Sequence, residues 1–446
     1  MASASTLVRA NQKTSQVITC STTDCLVNRF SISAIFFYRE KLPSKLLIAA
    51  LEKVLASFPL FSGRLKIVEG NLLIDCNNKG AQFSLHSKGY SLAWALDNLS
   101  QVRLYQLVNT IDARKALASQ RPILSIRLTH FACGGTALGV CCHHSIGDMR
   151  TFMNFMKAWS AAVNGTPYSP PLVIENRNAY LQEKLASNEN VLSNVRHITI
   201  GELLKLTAYV LTTARKQTSV KLYFSDSEIA NMRQVFSEKA GQRLSRNDVL
   251  CAHIFSLITR LDNYDKDRYL GIPVDYRSKT GLSENLLGNL MDTINISVPK
   301  NACPFEVAKS IRKGINSFET DHLSVMPTHR YVEDNGGVKK SQRFVSKSVD
   351  PIRRAISITN WSKFGVYDID FLDAKPLYFT SVDYSPVPWI FIIVNGFSNQ
   401  GLICSANLPT KLAQRLKQPD SLKRLHQYRD RNEVRPSQIK HLAWLH

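Results

Sequence analysis

The sequence predicts an α/β protein built of two domains. Its 446 residues are many for a single core and suit two domains of about 200 residues each. Segments with the alternation of a strand recur between segments with the spacing of a helix, an order typical of α/β proteins. A polar stretch with weak periodicity separates the halves. We therefore assign residues 1–200 to a first domain, 201–425 to a second, and 426–446 to a basic tail.

The clearest local pattern is a strand, a turn, a second strand and a helix. Residues 123–131 alternate between apolar and polar side chains and predict a half-buried strand, and residues 136–143 predict its partner. Gly134-Gly135 is expected to supply the positive φ angles of a tight hairpin turn. The apolar spacing then becomes helical. His144 thus lies where a strand gives way to a helix, with Asp148 four residues further on.

His144 is the candidate general base of this segment. A neutral imidazole titrates near physiological pH and can take a proton from a hydroxyl or an amine. Asp148 would hold the local backbone, or the imidazole ring, in place. The bare spacing His-x-x-x-Asp also arises by chance in a chain with 11 His, so those five residues alone do not establish catalysis.

Composition favours a globular cytoplasmic protein. The chain is 44% hydrophobic and 20% charged, and it has no apolar stretch long enough to predict a membrane span or a signal peptide. Its 9 Cys are scattered and lack a Cys-x-x-Cys pair, which predicts neither a disulfide framework nor a metal site. We expect a cytoplasmic monomer that binds no metal.

The net charge of +21 is the most unusual property of the composition. The excess of Lys and Arg is concentrated in residues 309–354 and in the tail from Lys411 onward. Such a charge attracts anions, namely a nucleic acid, a membrane surface or a phosphorylated ligand. A generally basic, solvated surface is the alternative. No nucleic-acid-binding motif accompanies the charge, so no nucleic-acid partner is expected.

A helix start in the second half is a candidate anion contact. Ser245-Arg-Asn-Asp248 has the form of a capping box before an apolar run. Free amides at a helix N-terminus can hold a phosphate, which makes Ser245 and Arg246 candidate ligand contacts. A helix cap with no ligand is the alternative.

The segment that contains His144 and Asp148 resembles the first signature motif of a known family. The string from Leu128 to Asp148, Leu-Thr-x-Phe-x-x-Gly-Gly-x-x-Leu-Gly-x-x-x-His-His-x-x-x-Asp, resembles the active-site segment of the BAHD acyl-CoA-dependent acyltransferases. Met149 stands where the family usually has Gly. Further segments resemble the family in the right order: Phe58-Pro-Leu-Phe-Ser-Gly-Arg-Leu65, Val274-Asp-Tyr-Arg277, Leu287-Gly-Asn289 and Thr359-Asn-Trp361.

The family's second signature, Asp-Phe-Gly-Trp-Gly, is degraded here. Only its Asp and Phe remain, in Asp370-Phe-Leu-Asp-Ala374. Because Leu372 cannot cheaply adopt a conformation reserved for Gly, we expect this loop to be built differently. Arg277 is the expected partner of Asp148 in a bidentate contact that ties the two domains together. The alternative partner of Arg277 is Asp370.

The resemblance implies a fold and a reaction. The fold is two chloramphenicol-acetyltransferase-like domains, each a mixed β-sheet flanked by helices, with a tunnel at their interface. His144 would match the catalytic histidine and Asp148 the structural aspartate, while the Thr359 hydroxyl and the Trp361 indole would stabilise the oxyanion. The implied reaction moves an acyl group from acyl-CoA to a hydroxyl or amine of a small molecule, with no permanently bound cofactor. The contacts predicted for Ser245 and Arg246 would then be to coenzyme A.

Three other interpretations stay open at this point. Wax-ester and condensation-type acyltransferases share the paired histidines and the aspartate. A non-catalytic binding protein would retain the fold while the second signature eroded. A nucleic-acid binder is motivated by charge alone. No local segment specifies the acceptor, the acyl chain, or the choice between O- and N-acylation.

Overall fold

Two six-stranded mixed sheets frame the molecule. The computed structural model describes residues 4–12, 15–99, 104–119, 121–213, 216–318, 322–382 and 388–430. Most of the predicted basic tail, residues 431–446, therefore lies outside the described residues. The strands are β1 Ala4–Val8, β2 Val17–Thr19, β3 Ser31–Tyr38, β4 Arg64–Val68, β5 Asn71–Asp75, β6 Ala81–Lys88, β7 Leu124–Phe131, β8 Thr136–His143, β9 Val195–His197, β10 Gln217–Phe224, β11 Arg268–Asp275, β12 Met291–Val298, β13 Phe344–Ser346, β14 Ile356–Asn360, β15 Tyr378–Ser381, β16 Ile390–Asn395 and β17 Leu402–Pro409.

Helices cover the sheets. They are α1 Thr22–Leu26, α2 Ser44–Ser57, α3 Leu92–Asp97, α4 Ala113–Ser119, α5 Met149–Asn164, α6 Arg177–Lys184, α7 Ile200–Thr213, α8 Asp226–Ala240, α9 Arg246–Leu261, α10 Pro304–Asn316, α11 Val325–Asp334, α12 Thr410–Leu416 and α13 Pro419–Leu425. None of the helices in the described ranges is long and apolar enough to cross a membrane.

The first sheet has the order β1-β6-β7-β8-β3-β15 and the second the order β10-β17-β16-β14-β11-β12. Both sheets are mixed. In the first, β6 and β7 run parallel; in the second, β14 runs parallel to β11 and to β16. The strands β2, β4 and β5 form a small third sheet, and β9 pairs with β13. Each large sheet has its own apolar core.

The hairpin that leads to His144 has the predicted strands. Leu124 lies opposite Cys142 and Leu128 opposite Leu138 in the β7–β8 register. Gly134 has the expected positive φ of +89°, but the same prediction for Gly135 was wrong. A Cβ on Gly135 would lie 2.8 Å from the Leu92 side chain, so close packing rather than φ restricts this position.

One strand crosses from the second half of the sequence into the first sheet. Strand β15 pairs with β3, although its residues fall inside the segment 201–425 that was assigned to the second domain. The Tyr38 hydroxyl donates to the Ile369 carbonyl at 3.0 Å, and Phe36 packs on Phe379 with ring centroids 4.9 Å apart. Backbone pairing and aromatic packing therefore attach residues 369–381 to the first core.

Candidate active site

The loop from His144 to Asp148 joins β8 to α5. The two histidines at its start face different surroundings. The His143 ring is buried, with Nε2 3.2 Å from the Ala113 carbonyl and Nδ1 accepting from the Ser145 N–H at 3.1 Å, so it braces the loop internally. The backbone N–H of His144 donates to the Phe30 carbonyl at 3.0 Å. This bond extends the pairing of β8 with β3 by one residue.

Asp148 caps the helix that follows the loop. Its carboxylate accepts from the Thr151 N–H at 3.0 Å and from the Leu290 N–H at 2.9 Å. The Arg277 guanidinium adds two bonds, from Nη1 at 2.9 Å and from Nη2 at 3.1 Å. These four donors engage both carboxylate oxygens, so Asp148 fixes the backbone and joins the halves. The sequence allowed Asp148 to hold either the local backbone or the imidazole ring, and these contacts hold the backbone.

The buried Arg277 side chain bonds both to Asp148 and to the end of β11, the strand that precedes it. It also donates to Asp275 at 3.0 Å and to the carbonyls of Leu286 and Gly288. The Gly288 carbonyl in turn accepts from the Asp148 N–H at 3.2 Å. Gly288 has a φ of +146°, a region that favours glycine. The predicted pairing of Arg277 with Asp148 is present, and the alternative partner Asp370 lies elsewhere.

A second buried ion pair also holds this loop. Arg177 donates to Asp24 at 2.8 Å, and it also donates to the carbonyls of Ser145 at 3.3 Å and Ile146 at 3.0 Å. Asn289 links this pair to the candidate base. Its Nδ2 donates to the carbonyl of His144 at 2.7 Å and to Asp24 at 2.7 Å. The carbonyls of residues 144–146 are therefore all anchored.

Burial controls the charge states in this loop. Burial lowers the pKa of His144 below 6.5, although the carboxylate of Asp148, the side chain of Asn289 and the carboxylate of Asp24 oppose that shift. The imidazole is therefore neutral at physiological pH, and its Nδ1 is buried without a hydrogen-bond partner in the described structure. Burial opposes the ionisation of Asp148, yet the guanidinium of Arg277 and the backbone donors hold its pKa below 3.8.

Thr359 and Trp361 lie at the end of β14. This strand is parallel to β11, so its carboxyl end meets the same sheet edge as the segment that carries Arg277. The backbone N–H of Trp361 donates to the Ile393 carbonyl at 2.8 Å, and the half-buried indole ring packs against the core of the first sheet. Both predicted oxyanion residues thus lie at the sheet edge where the two halves meet.

Three side-chain contacts fix this edge. Asn360, between the two residues, donates to Asn247 on α9 at 2.8 Å. Arg150 on α5 pairs with Asp275 at 3.2 Å and lies over the Phe364 ring, 5.1 Å from its centroid. Side-chain contacts therefore hold together the elements that carry His144, Arg277 and the oxyanion candidates.

Ser245 and Arg246 start α9 as predicted, with the capping box formed. The Ser245 hydroxyl accepts from the Asp248 N–H at 3.2 Å, and the Ser245 N–H donates to Asp248 at 2.7 Å. Arg246 is ion paired with Asp226. Asn247, the next residue, contacts Asn360. The helix start is therefore adjacent to the candidate active site, while both predicted coenzyme A contacts already have protein partners.

The degraded second signature forms a tight turn at the other end of α5. Asp370 accepts from Ser160 at 3.0 Å and from Asn164 at 3.2 Å. The next two residues differ from the expectation. Leu372 has a φ of +52° and Asp373 a φ of +65°, so the chain adopts here the left-handed conformation that Leu was expected to avoid. The Leu372 N–H donates to Asn164 at 2.8 Å, which holds the turn in place.

Sequence reasoning missed Asp24 and Arg177. Asp24 had a detectable signal, since Ser21 and Asp24 have the spacing of a capping box and form one. Arg177 had none, because a single arginine in a polar segment resembles a surface residue until the fold buries it.

Known proteins resemble this chain in sequence and in fold. A family model described as the Transferase family matches residues 2–419. Agmatine hydroxycinnamoyltransferase 1 of Oryza sativa subsp. japonica is 25% identical over 401 residues, which are 83% of this chain and 85% of the relative. The vinorine synthase structure superposes with a TM-score of 0.70 at 20% identity, covering 94% of this chain and 97% of that chain.

A further similar structure contains ligands. The F. sporotrichioides TRI101 structure, complexed with coenzyme A and T-2, has a TM-score of 0.68 at 18% identity and covers 92% of this chain and 99% of that chain. At these identities the structural likeness speaks for the fold, and the predicted two-domain chloramphenicol-acetyltransferase-like architecture is confirmed. Since the family match spans nearly the whole chain, the protein belongs to the Transferase family, the BAHD acyltransferases.

Proposed function

We propose that this protein transfers an acyl group from acyl-CoA to a hydroxyl or amine of a small molecule, with His144 as the general base. One observation carries the proposal. The loop that holds His144 is joined through Asp148 and Arg277 to the sheet edge where Thr359 and Trp361 lie. This connection supports a site in which His144 is the base and Thr359 and Trp361 are the oxyanion donors.

In this mechanism His144 starts in its neutral form. The lowered pKa leaves the imidazole free to accept the proton of the acceptor as the acceptor oxygen or nitrogen attacks the thioester carbonyl. The resulting imidazolium is stabilised by the nearby carboxylates of Asp148 and Asp24. It then returns the proton to the leaving thiolate of coenzyme A. No covalent enzyme intermediate is needed, so the reaction is a direct transfer.

Charge develops on the thioester oxygen during the attack. The Thr359 hydroxyl and the Trp361 indole N–H are the proposed donors to this oxyanion. Asp148 has a positioning role, because its four hydrogen bonds leave it attached to the backbone and to Arg277. Arg277 acts through Asp148.

Acyl-CoA is the proposed donor substrate. The likeness to a structure complexed with coenzyme A supports this choice, and the net charge of +21 favours a phosphorylated substrate. The start of α9, with Ser245 and Arg246, is the proposed contact region for coenzyme A. Arg246 would have to exchange its Asp226 partner for a phosphate, and the exposed position of that ion pair makes the exchange inexpensive.

The test is mass spectrometry of products after incubating the purified chain with mixed acyl-CoAs and a metabolite extract. We expect a new acylated product and matching release of free coenzyme A thiol. His144→Ala should abolish both while the circular dichroism spectrum and acyl-CoA binding persist. His86→Ala is the matched control, because that partly buried histidine lies on β6, and it should retain turnover.

Two outcomes would contradict the proposal. Undiminished turnover in His144→Ala would exclude the imidazole as the base. Tight acyl-CoA binding without thiol release, for every acceptor in the extract, would indicate a binding protein that keeps the fold.

A further inference from the structure

Helix α7 carries a row of uncovered apolar side chains. Ile200, Leu204 and Leu211 are 65%, 66% and 70% exposed. Their spacings of four and seven residues place them on one face of the helix. Leu192, just before the helix, is 76% exposed. These are the four most exposed large apolar side chains in the part of the chain that the structure describes, and a concentration of this kind marks an interaction site rather than scattered exposure.

A basic segment lies beside this helix. Strand β13 pairs with β9, and β9 ends shortly before α7 begins, so residues 338–354 and α7 share one side of the molecule. That segment contains a single acid, Asp350, and the following Lys and Arg residues: Lys339, Lys340, Arg343, Lys347, Arg353 and Arg354. The exposed Ile352 extends the apolar surface into it.

The far end of α7 is also close to this segment. Burial raises the pKa of the Tyr209 phenol on α7, and the guanidinium of Arg354 opposes that shift, so the two groups lie within electrostatic range. We use the name α7 surface for Leu192, helix α7 and residues 338–354.

The acids on the α7 surface do not cancel its charge. Glu202 is paired with Arg196 at 2.7 Å, and Asp350 is paired with the same arginine at 2.9 Å. Asp262, at the border, is paired with Arg354 at 3.0 Å. The lysines and arginines of the surface outnumber these acids, so a positive field surrounds the apolar row.

We propose that the α7 surface binds the face of a membrane with anionic headgroups. Aliphatic side chains in a row can enter the boundary between headgroups and acyl chains, while the flanking cations contact headgroup phosphates and carboxylates. The net charge of +21 adds long-range attraction to such a surface. Attachment would be peripheral and reversible, and it is independent of the acyl-transfer proposal.

The test is flotation of the purified chain with lipid vesicles. We expect binding to vesicles of phosphatidylcholine with phosphatidylserine, little binding to pure phosphatidylcholine, and release at 1 M salt, where the Debye length falls to about 3 Å. The Leu204→Ser/Leu211→Ser variant should bind at least about tenfold more weakly, since each leucine loses its apolar burial. Ile352→Ser/Arg353→Gln should weaken binding in the same direction.

A matched control uses exposed apolar residues elsewhere. Leu7 on β1 and Leu46 on α2 are 42% and 37% exposed, and Leu7→Ser/Leu46→Ser should bind vesicles like the unchanged chain. Equal binding to both lipid mixtures would overturn the proposal. An equal loss of vesicle binding in Leu204→Ser/Leu211→Ser and in the control variant would overturn it as well. So would a dimer in light scattering that disappears only in Leu204→Ser/Leu211→Ser, because the surface would then be an interface between two copies of the chain.

Discussion

The Arg177 guanidinium connects the Asp24 carboxylate, 2.8 Å away, to the carbonyl of Ile146, 3.0 Å away. One buried ion pair thus supports the loop of the proposed base in addition to the pair of Arg277 with Asp148. Both ion pairs lie in the interior, where a charge that loses its partner costs several kcal/mol. The loop between His144 and Asp148 is therefore rigid for electrostatic reasons as well as by packing.

Removing the charge of Asp24 should lower the catalytic rate as well as the stability of the fold. In Asp24→Asn we expect kcat to fall about 10-fold to 100-fold with little change in KM, because a base displaced by about 1 Å loses that much rate while the substrate contacts remain. Steady-state kinetics on the acylation reaction would show this. Asp350→Asn, which removes another buried carboxylate paired with an arginine, is the control and should leave kcat unchanged.

The pH dependence of the reaction should reflect the partly buried position of His144. Only the neutral imidazole accepts a proton, so kcat/KM should fall as the pH drops through the pKa of His144. Because burial lowers that pKa below 6.5, the acidic limb should lie below pH 6.5. Asp24 raises the pKa of His144, so Asp24→Asn should move the limb to still lower pH. A limb above pH 6.5, or one that moves upward in the variant, would contradict the assignment.

Breaking the ion pair across the halves should be costly. Arg277→Met leaves Asp148 buried without its guanidinium, and we expect a loss of about 3–5 kcal/mol in the free energy of unfolding. Urea denaturation measures it. Arg330→Met removes an exposed pair with Glu189 and should cost less than about 1 kcal/mol. If both variants lost a similarly small free energy of unfolding, the buried pair of Arg277 with Asp148 would not stabilise the fold.

The proposed oxyanion donors can be separated from packing residues. Trp361→Phe keeps an aromatic ring but removes the indole N–H, and we expect kcat to fall by about 10²–10³. Binding of acyl-CoA, measured by calorimetry, should change little. Unchanged kcat would reduce Trp361 to a packing role.

The turn at Leu372 should accept a stabilising substitution. A left-handed conformation costs a residue with a Cβ roughly 1 kcal/mol, whereas Asn tolerates it and favours this turn position. We expect Leu372→Asn to raise the free energy of unfolding by about 0.5–1 kcal/mol, and Leu372→Ala to give no such gain because its backbone strain persists. Denaturant midpoints compare the two. Destabilisation by Leu372→Asn would mean that the exposed leucine packs favourably.

The prediction from sequence succeeded where the signal was local. Alternation and helical spacing gave the β7–β8 hairpin and α5, and the capping pattern at Ser245 gave the start of α9. It failed at Leu372, where the Asn164 side chain and the adjoining strands hold a turn that local preference opposes. Backbone preferences of about 1 kcal/mol are weaker than such tertiary contacts.

The order of residues by itself determined which histidine is the candidate base, which aspartate lies four residues later, which residues are the oxyanion candidates, and the excess of positive charge. These are chemical groups at fixed spacings in a covalent chain. Only the tertiary structure decided that Arg277 meets Asp148 rather than Asp370, that Asp24 and Arg177 support the loop, and that α7 leaves its apolar row uncovered. Contacts between residues more than 100 positions apart depend on how two sheets pack, and no local pattern encodes that packing.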